Sequence, residues 1–203
     1  MSLLRTLYID IDSTIWPAED VYAKNAIELF GSNYPMTVQY DEQFFKDTYG
    51  PGYGDIFKFN PEEIADRVLY PYAAWALNYL YGLGFELHFL SHNPAPHKMR
   101  KPVQAWLESK LQVPFKLTVF GARNCKVNFM AGEDYAWGII EDKPSTLAKA
   151  HRHGYVTIAK EQPWNLRTIE ECGILSFSSW LQIPGMVTNV LEKGQYLALD
   201  TAT

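Results

Sequence analysis

Short β-favouring runs recur along this chain with helical segments between them, and that alternation restricts its fold more than any other feature. Leu7-Tyr8-Ile9, residues 85–90, 115–120, 137–140 and 155–159 read as strands, with Ile174 to Phe177 the candidate for the last. Helical segments lie between them: Val21 to Phe30 closed by Gly31, Pro71 to Leu83 closed by Gly84, His97 to Lys110, and Pro144 to His153 closed by Gly154. Pro102 places the true start of the third segment near itself, because proline suits a first turn and disrupts an interior. Parallel neighbours need a crossover connection, and helices of these lengths supply one. The predicted fold is therefore α/β, a doubly wound parallel sheet covered on both faces.

Residues 31 to about 70 break the pattern. They carry Pro35, Pro51 and Pro61, the glycines Gly50, Gly52 and Gly54, and many aromatics, and they read as an insertion. Gly50-Pro51-Gly52-Tyr53-Gly54 is glycine-rich, but no strand precedes it and no helix clearly follows, so it reads as a loop or hinge and not a phosphate cradle. Tyr49, Tyr53, Phe57 and Phe59 give a small unit something to bury. With 203 residues, 47% of them hydrophobic and 20% charged, the chain can enclose one principal core. Signals weaken after Gly185, and the tail is expected to fray beyond Leu199.

Eighteen Lys plus Arg against 23 Asp plus Glu give a net charge of −5. That is the opposite of a basic nucleic-acid footprint, so no stable nucleic-acid complex is expected and an anionic ligand must be met locally. No apolar segment approaches the roughly 20 residues that cross a bilayer, and the residues before Asp10 are too few for a signal peptide. Two cysteines, Cys125 and Cys172, form no CxxC pair, which suits a reduced compartment. The expectation is a soluble, cytoplasmic protein with no membrane partner, possible as a homodimer. Its histidines show no metal-binding pattern; His151 and His153, two apart on a helix, do not face each other.

In doubly wound sheets ligands gather at the carboxyl ends of the strands, where the strand order reverses. That rule draws together Asp10 to Thr14, Ser91 to Asn93, and Glu141 to Lys143. Asp10 and Asp12 stand two apart, so at a strand end both carboxylates reach one small space and demand a counterion. With Asp142 as a third oxygen donor, the set Asp10, Asp12 and Asp142 suits Mg2+. A carboxylate can also act as a nucleophile and divide a phosphoryl transfer into two steps; Asp10 is the candidate. Asp12 would serve as general acid and then base, Ser91 and backbone N–H groups would hold phosphoryl oxygens, and a lysine would offset the charge.

The ordered set of motifs resembles the haloacid dehalogenase superfamily. Asp10-Ile11-Asp12-Ser13-Thr14 is similar to its first signature, Ser91 after Phe89-Leu90 to its second, and Ile139-Ile140-Glu141-Asp142 to its fourth. Lys126 is the best match to the third-signature lysine, with Lys143 its rival. Ser13 replaces the usual glycine and Glu141 a common aspartate, so Glu141 is read as supporting the site from behind. A narrower resemblance is to the 5'(3')-deoxyribonucleotidases. It rests on Asp41-Glu42-Gln43-Phe44-Phe45, Leu69-Tyr70-Pro71, Ile140 to Pro144, Pro163-Trp164-Asn165 and Ser179-Trp180.

That resemblance implies a Rossmann-like core of residues 1–14 and 71–203 and a small, mainly helical cap of residues 15–70. It further implies substrate contacts by Thr14, Ser91, His92, Asn93 and Lys143, with Phe44 and Phe45 around a nucleobase. The activity implied is Mg2+-dependent hydrolysis of a small phosphate ester, a deoxynucleoside monophosphate, through an aspartyl phosphate. The alternatives are a phosphatase of another small ester or of a polynucleotide end, and a catalytically idle nucleotide-binding module. Trp164 and Asn165 shape the rim of the site or form an ordinary ordered loop.

Overall fold

The structure, a computed structural model, describes residues 5–93, 95–121 and 125–200, without the side chains of 195–200. Six strands form one parallel sheet: β1 (Arg5–Asp10), β2 (Phe85–His92), β3 (Lys116–Phe120), β4 (Ala136–Glu141), β5 (Val156–Lys160) and β6 (Leu175–Phe177), in the order β3-β2-β1-β4-β5-β6. The chain therefore winds outward from β1 in one direction and then, from β4, in the other. Asp10 pairs with Leu90 and Ile9 with Ile140, so the carboxyl ends of β1, β2 and β4 lie side by side at the point where the winding reverses.

The helices are α1 (Ala18–Phe30), α2 (Glu42–Tyr49), α3 (Ala73–Gly82), α4 (Pro96–Lys110), α5 (Lys126–Met130), α6 (Pro144–Arg152), α7 (Leu166–Cys172) and α8 (Ile183–Asp200). α1 ends as its sequence foretells: Gly31 turns left-handed at φ 64 and its N–H returns to the Ile27 carbonyl. Pro102 does not begin α4 but lies inside it. The helix continues because Met99, Val103, Trp106 and Leu107 form a buried stripe on one face, and their packing outweighs one missing backbone bond.

Alternate residues of β1 feed opposite faces of the sheet. Leu7 and Ile9 join the larger core with residues of α1, the insertion, α3 and α4, while Tyr8 joins Leu90, Val127, Met130, Ile139 and Ala150 on the other side. Gly138 has a steric reason to be glycine: a Cβ there would run into the Val156 carbonyl of the neighbouring strand.

The insertion is more ordered than its sequence suggests. Beside α1 and α2 it holds 3-10 turns at 36–38, 50–57 and 61–63, so the glycine-rich run forms a tight helical turn and not an open loop. Its two ends lie together, the Tyr70 N–H donating to the Ile15 carbonyl at 2.9 Å. The weak tail also proves helical through residue 200, with Ile183 and Val187 buried and Leu191 packed against the core at i, i+4 and i+8. The fraying expected beyond Leu199 falls largely on 201–203, outside the described residues. Among the described residues no helix is long and apolar enough to cross a membrane.

Candidate active site

The loop after β1 turns sharply, the Ile15 N–H donating to the Ile11 carbonyl at 3.1 Å. Ser13 takes the left-handed conformation at φ 58, which accounts for glycine being usual there. Late parts of the chain pin this turn in place. The Gln162 side-chain amide donates to the Ser13 carbonyl at 2.8 Å, and the Trp180 indole N–H donates to the Thr14 carbonyl at 3.1 Å.

Within the turn, Asp10 meets the lysine at the start of α5. Lys126, 3% exposed, donates from Nζ to Asp10 Oδ1, and at 2.9 Å to Glu141 Oε2. Lys126 and not Lys143 is thus the cation against Asp10; Lys143 Nζ stands 5.3 Å above the Tyr40 ring. The Thr14 hydroxyl lies 3.0 Å from Asp10 Oδ2 and 3.4 Å from Asp142 Oδ1, bridging two strand ends. Asp142 also accepts from the Trp164 indole at 3.0 Å and the Tyr40 hydroxyl at 3.1 Å, both on Oδ2, while Asn165 donates to its backbone carbonyl at 2.8 Å. Trp164 and Asn165 therefore shape the site. Tyr40 was not legible beforehand, since it sits in the stretch without periodicity.

Asp10, Glu141 and Asp142 bring carboxylate oxygens within 4.8 Å of one another, all three buried. Lys126 offsets one of the three charges that the group carries when fully ionised. Burial first, and then Glu141, push the Asp10 carboxyl up to about 7, and burial with Asp10 and Glu141 raises that of Asp142 as well. Asp10 and Glu141 keep Lys126 charged against the cost of its burial. Carboxylates that resist full ionisation beside a single lysine fit a further hard cation that prefers oxygen ligands. Glu141 has little left to offer such an ion, because Oε2 holds Lys126 and Oε1 accepts the N–H groups of Asp142 and Lys143 at 3.1 Å.

Asp12 stands apart from that acidic group. Its Oδ2 accepts from the Ser91 hydroxyl at 3.2 Å, and its Oδ1 accepts from the Trp16 indole at 2.9 Å. Of the loop after β2, Asn93 spends its side-chain oxygen on the Ala95 N–H at 2.9 Å, at the entrance to α4. His92, whose ring lies 5.6 Å from that of Phe120, borders a cavity of about 360 Å³ that opens next to Tyr40. Phe45, Tyr53 and Phe57 wall the same cavity, with Glu42, Lys143 and Gln39 among its polar lining. Gln39 is 3% exposed, and its Oε1 has no partner among the described residues. Phe45 is buried among Tyr34, Tyr49, Tyr53 and Phe57, whereas Phe44 packs beside it without lining the cavity.

No protein-family model matches the chain, and no curated protein matches it in sequence. Its fold does match solved structures. It is similar to a predicted phosphatase from Clostridium acetobutylicum, with a TM-score of 0.65 and 14% identity over 93% of this chain and 100% of that one. A HAD family hydrolase from Deinococcus radiodurans with bound phosphate and sodium gives 0.61 and 13%, over 92% and 96%. D,D-heptose 1,7-bisphosphate phosphatase from Burkholderia thailandensis gives 0.54 and 8%, over 92% and 98%. At these identities the likeness establishes the fold, a haloacid-dehalogenase-type α/β core. The narrower resemblance to deoxyribonucleotidases rests on the sequence motifs alone.

Proposed function

We propose that this chain is a magnesium-dependent phosphomonoesterase that carries the phosphoryl group on Asp10, with deoxynucleoside monophosphates as its substrate class. The observation that carries the reading is the buried contact of Lys126 with Asp10 beside Glu141 and Asp142. It sets a nucleophile, a cation and an excess of carboxylates at one strand end. In the first half-reaction an Asp10 oxygen attacks phosphorus, the bond to the ester oxygen breaks, and Asp12 gives that oxygen a proton. In the second, water attacks the phospho-Asp10 group and yields a proton to Asp12; the bond to Asp10 breaks and orthophosphate leaves. Lys126 offsets charge on the transferring group throughout. Asp10 and Asp142 would hold the magnesium ion, which when bound supplies positive charge for the phosphoryl oxygens.

Residues 15–70 act in this reading as a cap over a core of residues 1–14 and 71–203. The aromatic cavity behind Tyr40 takes the leaving nucleoside, with Phe45, Tyr53 and Phe57 offering faces to a base. The test is a panel of nucleotides, sugar phosphates and 5'-phosphorylated oligonucleotides, each with magnesium and with chelator. Metal-dependent release of phosphate from nucleotides supports the assignment. Brisk turnover of sugar phosphates alone removes the nucleotide part, and binding without turnover favours the idle module. Acid-quenching a turnover of radiolabelled ester should leave phosphate on Asp10, and a single turnover in heavy-oxygen water should put the label in orthophosphate with the Asp10 carboxyl unlabelled; no phosphate trapped on Asp10 rejects the mechanism.

A further inference from the structure

Outside the acidic group, the most unusual feature is a buried arginine that the reaction above does not use. Arg67, 8% exposed, belongs to the insertion, just before the chain returns to the core. Its guanidinium lies between two aromatic rings, 3.9 Å from the centroid of Trp16 and 4.0 Å from that of Phe59. Its Nη1 is 3.8 Å from Asp12 Oδ1, the oxygen to which the Trp16 indole donates. The backbone is anchored too, the Arg67 carbonyl accepting from the Trp106 indole at 3.0 Å. Burying a guanidinium is costly without an anion, and Asp12 is the carboxylate it reaches. A planar cation fits between two rings in a way that an ammonium does not.

We infer that Arg67 is a positioning residue: clamped by Trp16 and Phe59, it holds the Asp12 carboxylate in the direction from which a proton reaches the leaving oxygen. Together with Ser91 on Oδ2 and Trp16 on Oδ1, it fixes both oxygens of a side chain that would otherwise turn about its bonds. Because Arg67 comes from the insertion and Asp12 from the core, the general acid is fully braced only while the two pack together. The inference rests on the phosphatase reading and concerns the proton-transfer step within it.

The experiment compares the phosphorylation of Asp10 by two esters, read by rapid quenching in single turnovers, because the later water attack is common to both and only one ester needs the proton in the first step. 4-Nitrophenyl phosphate leaves as a stable phenoxide, whereas a nucleoside 5'-monophosphate leaves as a strongly basic alkoxide. In Arg67→Met, the rate of Asp10 phosphorylation by the nucleotide should fall roughly 30-fold with KM changed less than about 3-fold, while phosphorylation by the nitrophenyl ester stays within about 3-fold. Arg67→Lys should recover part of the loss, and it carries the same comparison if the methionine variant does not fold. Equal losses on both esters would make Arg67 a packing residue and overturn the inference, as would no loss on either. Wild-type protein that hydrolyses neither these esters nor any other ester of the panel above rejects the phosphatase reading itself, and this inference with it.

Discussion

The strand-end site and the cavity of the insertion are built on opposite principles. At the strand ends the carboxylates are engaged, although the buried Ser13 Oγ is not: Lys126 spans Asp10 and Glu141, Thr14 bridges Asp10 and Asp142, and Asp142 accepts from Tyr40 and Trp164. In the insertion the walls are aromatic, and the buried Gln39 Oε1 and Tyr34 hydroxyl have no partner among the described residues. A connected network of this kind holds reacting groups at fixed positions, as one chemistry requires. An unpaired acceptor beside a cavity is instead available to a ligand, and its cost is repaid only by the right one. On the proposed reading, reaction and selection are divided between core and insertion.

The sharpest way to break that division is to remove the nucleophile. Asp10→Asn should lower turnover by on the order of 10⁴-fold or more while a phosphate ester still binds, as measured by single-turnover kinetics beside equilibrium binding. Unchanged turnover would place the chemistry elsewhere. Next in size, Gly138→Ala should destabilise the core by about 3 kcal/mol, seen as a lower denaturant midpoint, because the new methyl meets the Val156 carbonyl of β5. An equivalent change in the insertion, Gly54→Ala, meets nothing and should cost far less.

A smaller effect separates the two regions by sign. Gln39→Leu should raise stability by about 1 kcal/mol, by removing a buried acceptor without a partner, yet lower kcat/KM about tenfold for leaving groups that can donate a hydrogen bond. Thermal melts and substrate comparison read the two outcomes. An effect of similar size, confined to stability, lies on the far face of the sheet. His88, bonded to Thr118 Oγ1 at 2.8 Å, has its pKa lowered to about 4 from 6.5, by burial and then by Lys116. The folded protein then binds fewer protons than the unfolded chain between those values. Its contribution to stability is therefore complete above about pH 6.5 and declines as the pH falls towards 4. After allowance for screening the loss is about 1–2 kcal/mol, and His88→Gln should flatten that part of the stability curve.

Much of the core was legible in the chain because parallel strands buried on both faces write continuous apolar runs, and Gly31, Gly84 and Gly154 punctuate them. The same logic brought Asp10, Ser91 and Asp142 to one end of the sheet. Legibility failed where packing overrode local preference. α2 and the 3-10 turn at 50–57 are held by an aromatic cluster around Phe45 whose members have no common period. Pro102 sits within α4 for a similar reason, as Trp106 and Leu107 anchor the helix on either side of the local defect.

The order of strand-end motifs, and with it the fold and the acidic chemistry, belongs to the sequence, because side-chain period and strand termination are local properties. Which lysine serves Asp10, that Tyr40 and Trp164 close over Asp142, and that Arg67 reaches Asp12 were decided by the tertiary structure. Those contacts join residues distant in the chain, and only the crossovers of the sheet and the return of the insertion bring them within bonding distance.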